Sequence, residues 1–254
     1  MLDRRRLLLG GAALALSGCK VFDSAGQGDS ALRRLFASHE GLTRTAQRAV
    51  IGDRLAPEFS EADIAQGQRP NGSTDPQGTE YRRMAETAFR DYRLTITGLV
   101  ETLTTLSLAD LTALPSRTQI TRHDCVEGWS CIAKWQGVPL GTVLNLAKPN
   151  LTARYAVFHC FDAIERSLSG EVFYYESIDL IDAYHPQTIL AYAMNGAPLP
   201  VANGAPLRLR VERQLGYKMA KYVHTIELTD SLATLGYGKG SYWADRGYEW
   251  YAGI

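Results

Sequence analysis

The chain has 254 residues, 45% hydrophobic and 21% charged, the proportions of an ordinary globular protein; that excludes a wholly disordered chain and a polytopic membrane protein. Basic and acidic side chains balance at 27 each, so the basic excess that nucleic-acid binding normally needs is absent. Four cysteines are too few to staple a disulfide scaffold, and each is read singly.

Residues 1–18 read as an address. Arg4, Arg5 and Arg6 precede an apolar run over residues 7–16, about half the ~20 residues needed to cross a bilayer. The arginines followed by leucines resemble a twin-arginine export signal, which carries folded, cofactor-loaded proteins. Leu16-Ser17-Gly18-Cys19 resembles a bacterial lipobox, with Cys19 the lipidated residue; a plain signal peptide with a chance cysteine is the alternative. These readings imply a periplasmic protein anchored to the membrane by its lipid. Residues 19–30 are small and polar and read as a flexible tether.

Residues 31–254 read as one domain. A helix is expected over 31–54, and the Gly-, Pro- and Asn-rich stretch 66–79 must be loop. Leu94 and Ile96 alternate with threonines, so 93–100 reads as a strand. Ser107 caps a helix over 108–114 that Pro115 stops. A strand over 119–122 is expected to enter a loop at His123. Pro139 opens a helix through Ala147, ended by Pro149. Strands follow over 154–161, 189–194 (turned by Asn195-Gly196), 207–211 and 222–228. The aromatic tail 236–254 is expected to wrap an existing core. NGAPLP at 195–200 and NGAPLR at 203–208 read as two similar turns. No Gly-rich phosphate loop follows a strand and opens a helix, which speaks against Rossmann and P-loop enzymes.

Four clusters could carry chemistry. His123-Asp124-Cys125-Val126-Glu127-Gly128-Trp129 offers a thiolate suited to a thiophilic metal. Gly128 beside Trp129 suggests a close backbone approach next to an apolar wall. A buried free thiol, or a disulfide from Cys125 to Cys131, reads the same residues without function. Asn203 to Arg208, followed by Gly216 to Lys221, combines a planar guanidinium, a point charge and an amide, a set suited to a polyanionic cofactor; a solvated basic turn is the alternative. Arg69-Pro70-Asn71-Gly72 is alone merely a turn. His159-Cys160-Phe161-Asp162 stands at an expected strand end, where His159 and Cys160 read equally as packing residues. A zinc or copper site from His123, Cys125, Cys131, His159 and Cys160 is the competing metal reading, in a structural or metal-binding lipoprotein without redox turnover; the spacing fits no standard zinc pattern.

Taken together and in this order, RPNG, RLTITGLV, HDCVEGWSCIAKWQGVPL, LAYAMNGAPLP and NGAPLRLRVERQLGYKMAKYVHTIEL resemble the sulfite-oxidase-fold molybdopterin oxidoreductases, nearest to their exported bacterial members that reduce methionine sulfoxide. The resemblance implies an α+β fold of mixed β-sheets with short helices and long loops. It implies a molybdenum ion held by one protein thiolate and one molybdopterin, and two-electron oxygen-atom transfer. Cys125 matches the thiolate ligand and catalytic position. Asn71, Cys160, Asn203, Arg208, Met219, Ala220 and Lys221 match cofactor-binding positions, with Lys221 near the phosphate. Cys160 departs from the threonine of a relative, and a thiol donates more weakly than a hydroxyl. Trp129 is expected to wall the pocket and His123 to be structural. No Cys-x-x-Cys-His haem attachment is present in the sequence. The resemblance therefore implies no intrinsic haem and a separate electron-transfer partner, haem- or quinol-linked, in the membrane. An S-oxide or N-oxide is the expected substrate.

Overall fold

The computed structural model describes residues 31–167 and 170–254. The expected signal segment, Cys19 and the tether lie outside the described residues. Residues up to Gly52 and those from Asp53 onward form two units. The first contains helix α1, Ala31–Ile51, close to the helix expected over 31–54. No helix among the described residues is long and apolar enough to cross a membrane.

In the second unit, α2 spans Thr79–Glu86, β1 Arg93–Gly98, β2 Thr104–Ser107 and α3 Leu108–Ala113. Helix α3 begins where the sequence predicts, because Ser107 and Asp110 cap it reciprocally. Ser107 Oγ accepts from Asp110 N at 3.1 Å, and Asp110 Oδ2 accepts from Ser107 N at 2.8 Å. Next come β3 (Arg117–Asp124), β4 (Ser130–Pro139), α4 (Leu140–Ala147), β5 (Tyr155–Ser167), β6 (Gly170–Asp179), α5 (Leu180–Ala183), β7 (Ile189–Met194), β8 (Ala197–Pro198), β9 (Arg208–Arg210) and β10 (Val223–Thr229). One sheet has the order β2-β1-β10-β5-β6, with β1 and β10 parallel and the other pairs antiparallel. The second has the order β3-β4-β7-β8, with β9 on β7. The main core lies between them. It joins Leu94 and Ile96 of β1, Phe158 of β5 and Ile226 of β10 to Val138 of β4, Leu190 of β7, Leu209 of β9 and Leu140, Val143 and Leu144 of α4.

Several expectations need correction. His123 lies inside β3, not in a loop. The buried face of that strand is Gln119, Thr121 and His123, so no apolar alternation announces its length. Cys160 stands mid-strand in β5, at a register shift between His159 and Ala163, and not at a strand end. Strands β4 and β6 were not anticipated. β4 carries its buried set on Cys131, Ala133 and Trp135, while β6 buries Glu176 and Ser177 where an apolar pair would have marked it. The two NGAPL copies are different structures. Asn195 and Gly196 have φ of 52° and 80° and turn β7 into β8. Asn203 instead is the buried last residue of a 3-10 turn leading to β9. The tail does wrap the core: Tyr242 is buried, Tyr242 N donates to Tyr175 O at 3.0 Å, and Ile254 N donates to Arg213 O at 3.0 Å.

Candidate active site

Strand β9 brings two arginines onto one face, since alternate residues of a strand point the same way. Both guanidiniums lie over the Trp135 ring, Arg208 at 5.2 Å and Arg210 at 4.3 Å from its centre. Their charges are treated differently. Arg210 is paired with Glu212 through two bonds of 2.9 and 2.6 Å, and Gln119 Nε2 adds a third bond to that carboxylate at 2.9 Å. Arg210 Nη1 also meets His123 Nδ1 at 3.0 Å. A guanidinium only donates, so Nδ1 accepts and His123 is neutral with its proton on Nε2. Burial first, then the charges of Arg208, Arg210 and Lys221, hold its pKa well below the ordinary value. Gly216 packs so closely on this imidazole that any Cβ there would overlap it.

Arg208 has no carboxylate within ion-pair distance among the described residues. Its Nη1 donates to Asn203 O at 3.0 Å and its Nη2 to Asn71 Oδ1 at 2.9 Å. Its Nε, and Nδ2 of Asn203, are buried donors without a partner, which is costly unless something accepts from them. Lys221 Nζ donates to the carbonyls of Ser73 and Ala202 and likewise meets no carboxylate at ion-pair distance. Burial, then the Arg208 charge, pulls its pKa down to about 7. Burial and Arg210 likewise lower that of Arg208. An anion among these groups would relieve both cations and satisfy both orphaned donors.

Beside this cluster lies a pocket of about 140 Å³ whose lining includes Asn71, Ser73, Cys125, Asp162, Met219 and Lys221. Cys125 follows the end of β3 in a turn held by Cys125 N to Trp129 O at 2.9 Å and Gly128 N to Cys125 O at 3.0 Å. Gly128 is there for a φ of 83°, with no atom within 4 Å of where a Cβ would stand; the expected close approach is not its reason. The thiol is half-buried and unbridged, and burial raises its pKa.

Six of the expected site residues, Asn71, Cys125, Asn203, Arg208, Met219 and Lys221, therefore converge. Ala220 is buried beneath, its carbonyl accepting from Leu209 N at 2.8 Å. Cys160 is buried in the core and lines a separate cleft with His159 and His224. Trp129 stands behind the turn, 5.6 Å from the His123 ring, with Nε1 on Glu127 Oε2. It does not line the pocket. Arg122 is ion-paired with Asp124 at 2.8 Å. The zinc or copper reading fails: no three His, Cys, Asp or Glu side chains among the described residues are grouped to hold a metal ion. Cys131 meets Gln68, not Cys125. His159 pairs with Glu227 at 2.9 Å.

Sequence reading missed Ser73, Tyr174 and the tail aromatics Trp243 and Tyr248 and gave Asp162, in its fourth cluster, no role of its own; all of them line the pocket. Burial raises the pKa of Asp162, opposed by the Ser73 hydroxyl that donates to it at 2.6 Å. Nothing local marks the tail residues, which arrive from the far end of the chain.

A model of the oxidoreductase molybdopterin binding domain matches residues 82–235. The putative protein-methionine-sulfoxide reductase subunit YedZ1 of Azospira oryzae is 36% identical over 251 residues, 98% of this chain and 86% of that protein. The protein-methionine-sulfoxide reductase catalytic subunit MsrP of Xanthomonas campestris pv. campestris is 30% identical over 241 residues, 91% of this chain and 71% of its own length. Among solved structures, the sulfane dehydrogenase SoxCD from Paracoccus pantotrophus aligns with a TM-score of 0.50 and 24% identity, over 56% of this chain and 39% of the other, which speaks for the fold. The expected fold class, enzyme class and cofactor are borne out: this is a molybdenum-dependent oxidoreductase that uses molybdopterin, built on mixed sheets with short helices. The chain belongs to the sulfite-oxidase-fold family of molybdopterin-binding oxidoreductases.

Proposed function

We propose that this protein is an exported reductase that removes the oxygen of an S-oxide, of the methionine-sulfoxide kind, using electrons from a separate membrane subunit. Two relatives that align with nine-tenths or more of the chain are named for protein-methionine-sulfoxide reduction, which supports the substrate class. The basic and apolar start of the chain supports twin-arginine export to the periplasm, and Cys19 supports a lipid anchor.

The observation that carries the site assignment is the unpaired cationic cluster beside a half-buried thiol. Arg208, Lys221 and Asn203 Nδ2 would hold the phosphate end of the cofactor, with Asn71 fixing Arg208 and Met219 and Ala220 closing the turn. Cys160 would act only at one remove, from the neighbouring cleft, which shares Tyr174 with this pocket. Cys125 Sγ would bind the metal and lose its proton in doing so. When bound, the molybdenum cofactor supplies two-electron oxygen-atom transfer. The chain's own work is to bind, orient and exclude water. Neutral His123, fixed by Arg210, keeps the end of β3 before Cys125 in place without adding charge.

The test is an assay of purified holoenzyme. Reduced dye is supplied with methionine sulfoxide, dimethyl sulfoxide or trimethylamine oxide, and, separately, sulfite with an electron acceptor. S-oxide turnover supports the reading; sulfite turnover without S-oxide turnover overturns it.

A further inference from the structure

The C-terminal segment contributes a wall to the pocket that holds Cys125, and this wall lies beyond the residues matched to the family domain, 82–235. Trp243 and Tyr248 are stacked, with ring centres 5.0 Å apart and planes at 24°. Tyr217 meets Tyr248 edge-on at 5.3 Å. All three line the pocket together with Val126 and Ile164.

The wall is preorganised. Gly247, with a φ of 99°, reverses the chain in a way other residues resist. That reversal lets Tyr248 N donate to Trp243 O at 3.0 Å and stacks one ring on the other. Tyr217 OH donates to Glu249 O at 2.7 Å, and Trp250 Nε1 donates to Ser177 Oγ at 2.8 Å. Arg246 lies over the Tyr242 ring at 3.6 Å and is ion-paired with Glu165. A surface fixed before binding gives up little entropy when it is covered.

The charge around the pocket points the same way. Lys221 is the one lysine or arginine among the described lining residues, and in the reading above its ammonium goes to the phosphate end of the cofactor. Arg69 and Arg122, on either side of the Cys125 turn, are paired with Glu127 and Asp124. A small oxyanion entering here meets aromatic and aliphatic carbon and the carboxylates of Glu127 and Asp162, and among the described residues no uncommitted cation. A dialkyl sulfoxide presents methyl and methylene groups and a polarised sulfur, which aromatic rings favour.

We infer that Trp243 and Tyr248 are specificity-determining residues, forming the wall that takes the apolar arms of a neutral dialkyl sulfoxide and passes over oxyanions. The inference rests on the S-oxide reading above and deepens it by naming what recognises the substrate.

The test uses holoenzyme of the full chain, wild type and the variants Tyr248→Ala, Tyr248→Phe and Trp243→Ala. Tyr248 is 39% exposed, so its alanine variant keeps the fold even if that of Trp243 does not. Two readouts are taken: steady-state reduction of methionine sulfoxide and of dimethyl sulfoxide, and quenching of tryptophan fluorescence by methionine sulfoxide without any electron donor. Tyr248→Ala is expected to raise KM for methionine sulfoxide roughly three- to tenfold, with kcat within about twofold. The fluorescence-detected Kd should weaken by the same factor, and Tyr248→Phe should restore both. Unchanged KM and Kd in both alanine variants, with a wild type that reduces S-oxides, overturn the wall alone. A wild type that neither reduces nor binds any S-oxide overturns the substrate reading beneath it as well.

Discussion

Arg208 Nη2 donates to Asn71 Oδ1 at 2.9 Å across 137 positions of sequence, tying an early polar loop to a short buried strand. The bond orients a cation that has no carboxylate of its own, next to an arginine that has one. Asn71→Ala should leave Arg208 with a further unmet donor and loosen the cofactor. Molybdenum and pterin per chain after gel filtration should fall severalfold, with a stability loss of about 1–3 kcal/mol. Asn71→Asp keeps the bond but neutralises the guanidinium, so it should lose cofactor while melting no lower than wild type.

Cys125→Ala should abolish turnover and weaken pterin retention while leaving a folded protein, since the thiol sits in a turn and not in the core. X-ray absorption of wild-type holoenzyme should show a molybdenum–sulfur contribution that the variant lacks. A fully active alanine variant would contradict the assignment.

Lys218 and Glu176 form an ion pair with both side chains almost wholly out of water. Lys218 Nζ also donates to Ser177 O at 2.8 Å and lies 5.1 Å from the Trp250 ring centre. Glu176→Gln strands a buried ammonium and should cost about 3–5 kcal/mol. Replacing both, as Glu176→Leu with Lys218→Met, should cost much less. Denaturant midpoints of the three proteins check this.

His224 should make stability depend on pH. Burial, then the neighbouring His159, lowers its pKa to about 4. Above the unfolded value of about 6.5 both states are neutral and the full stability is present. As pH falls below that, the unfolded chain binds a proton that the folded one refuses, so stability is lost between about 6.5 and 4. The loss from this group should be of order 2–3 kcal/mol. His224→Asn should flatten it, read as the difference between wild-type and variant denaturant midpoints across that range; identical slopes would exclude His224 as the cause.

How far local patterns reach is seen in α3 and β9. Helix α3 was legible to its first residue because Ser107, Asp110 and Pro115 act within a few positions of one another. The β7 turn was legible because Asn195-Gly196 accept positive φ in any context. β3 and β6 were less so, because their buried faces carry Gln119, His123 and Glu176. Those residues can be buried only because Arg210, Glu212 and Lys218 arrive to pair with them from elsewhere in the chain.

From the amino-acid order alone came the family, the cofactor and most of the positions that converge on the pocket, because residues that touch one cofactor keep their type and order however the intervening chain runs. Folding in space decided the rest. It left Arg208 charged and unpaired while Arg210 was matched, moved Cys160 and Trp129 away from the pocket, and brought Trp243 and Tyr248 to its edge. The free energy of burying a charge or a ring is set by the groups packed around it in space, whether they stand two positions away, as Glu212 does from Arg210, or 137, as Asn71 does from Arg208.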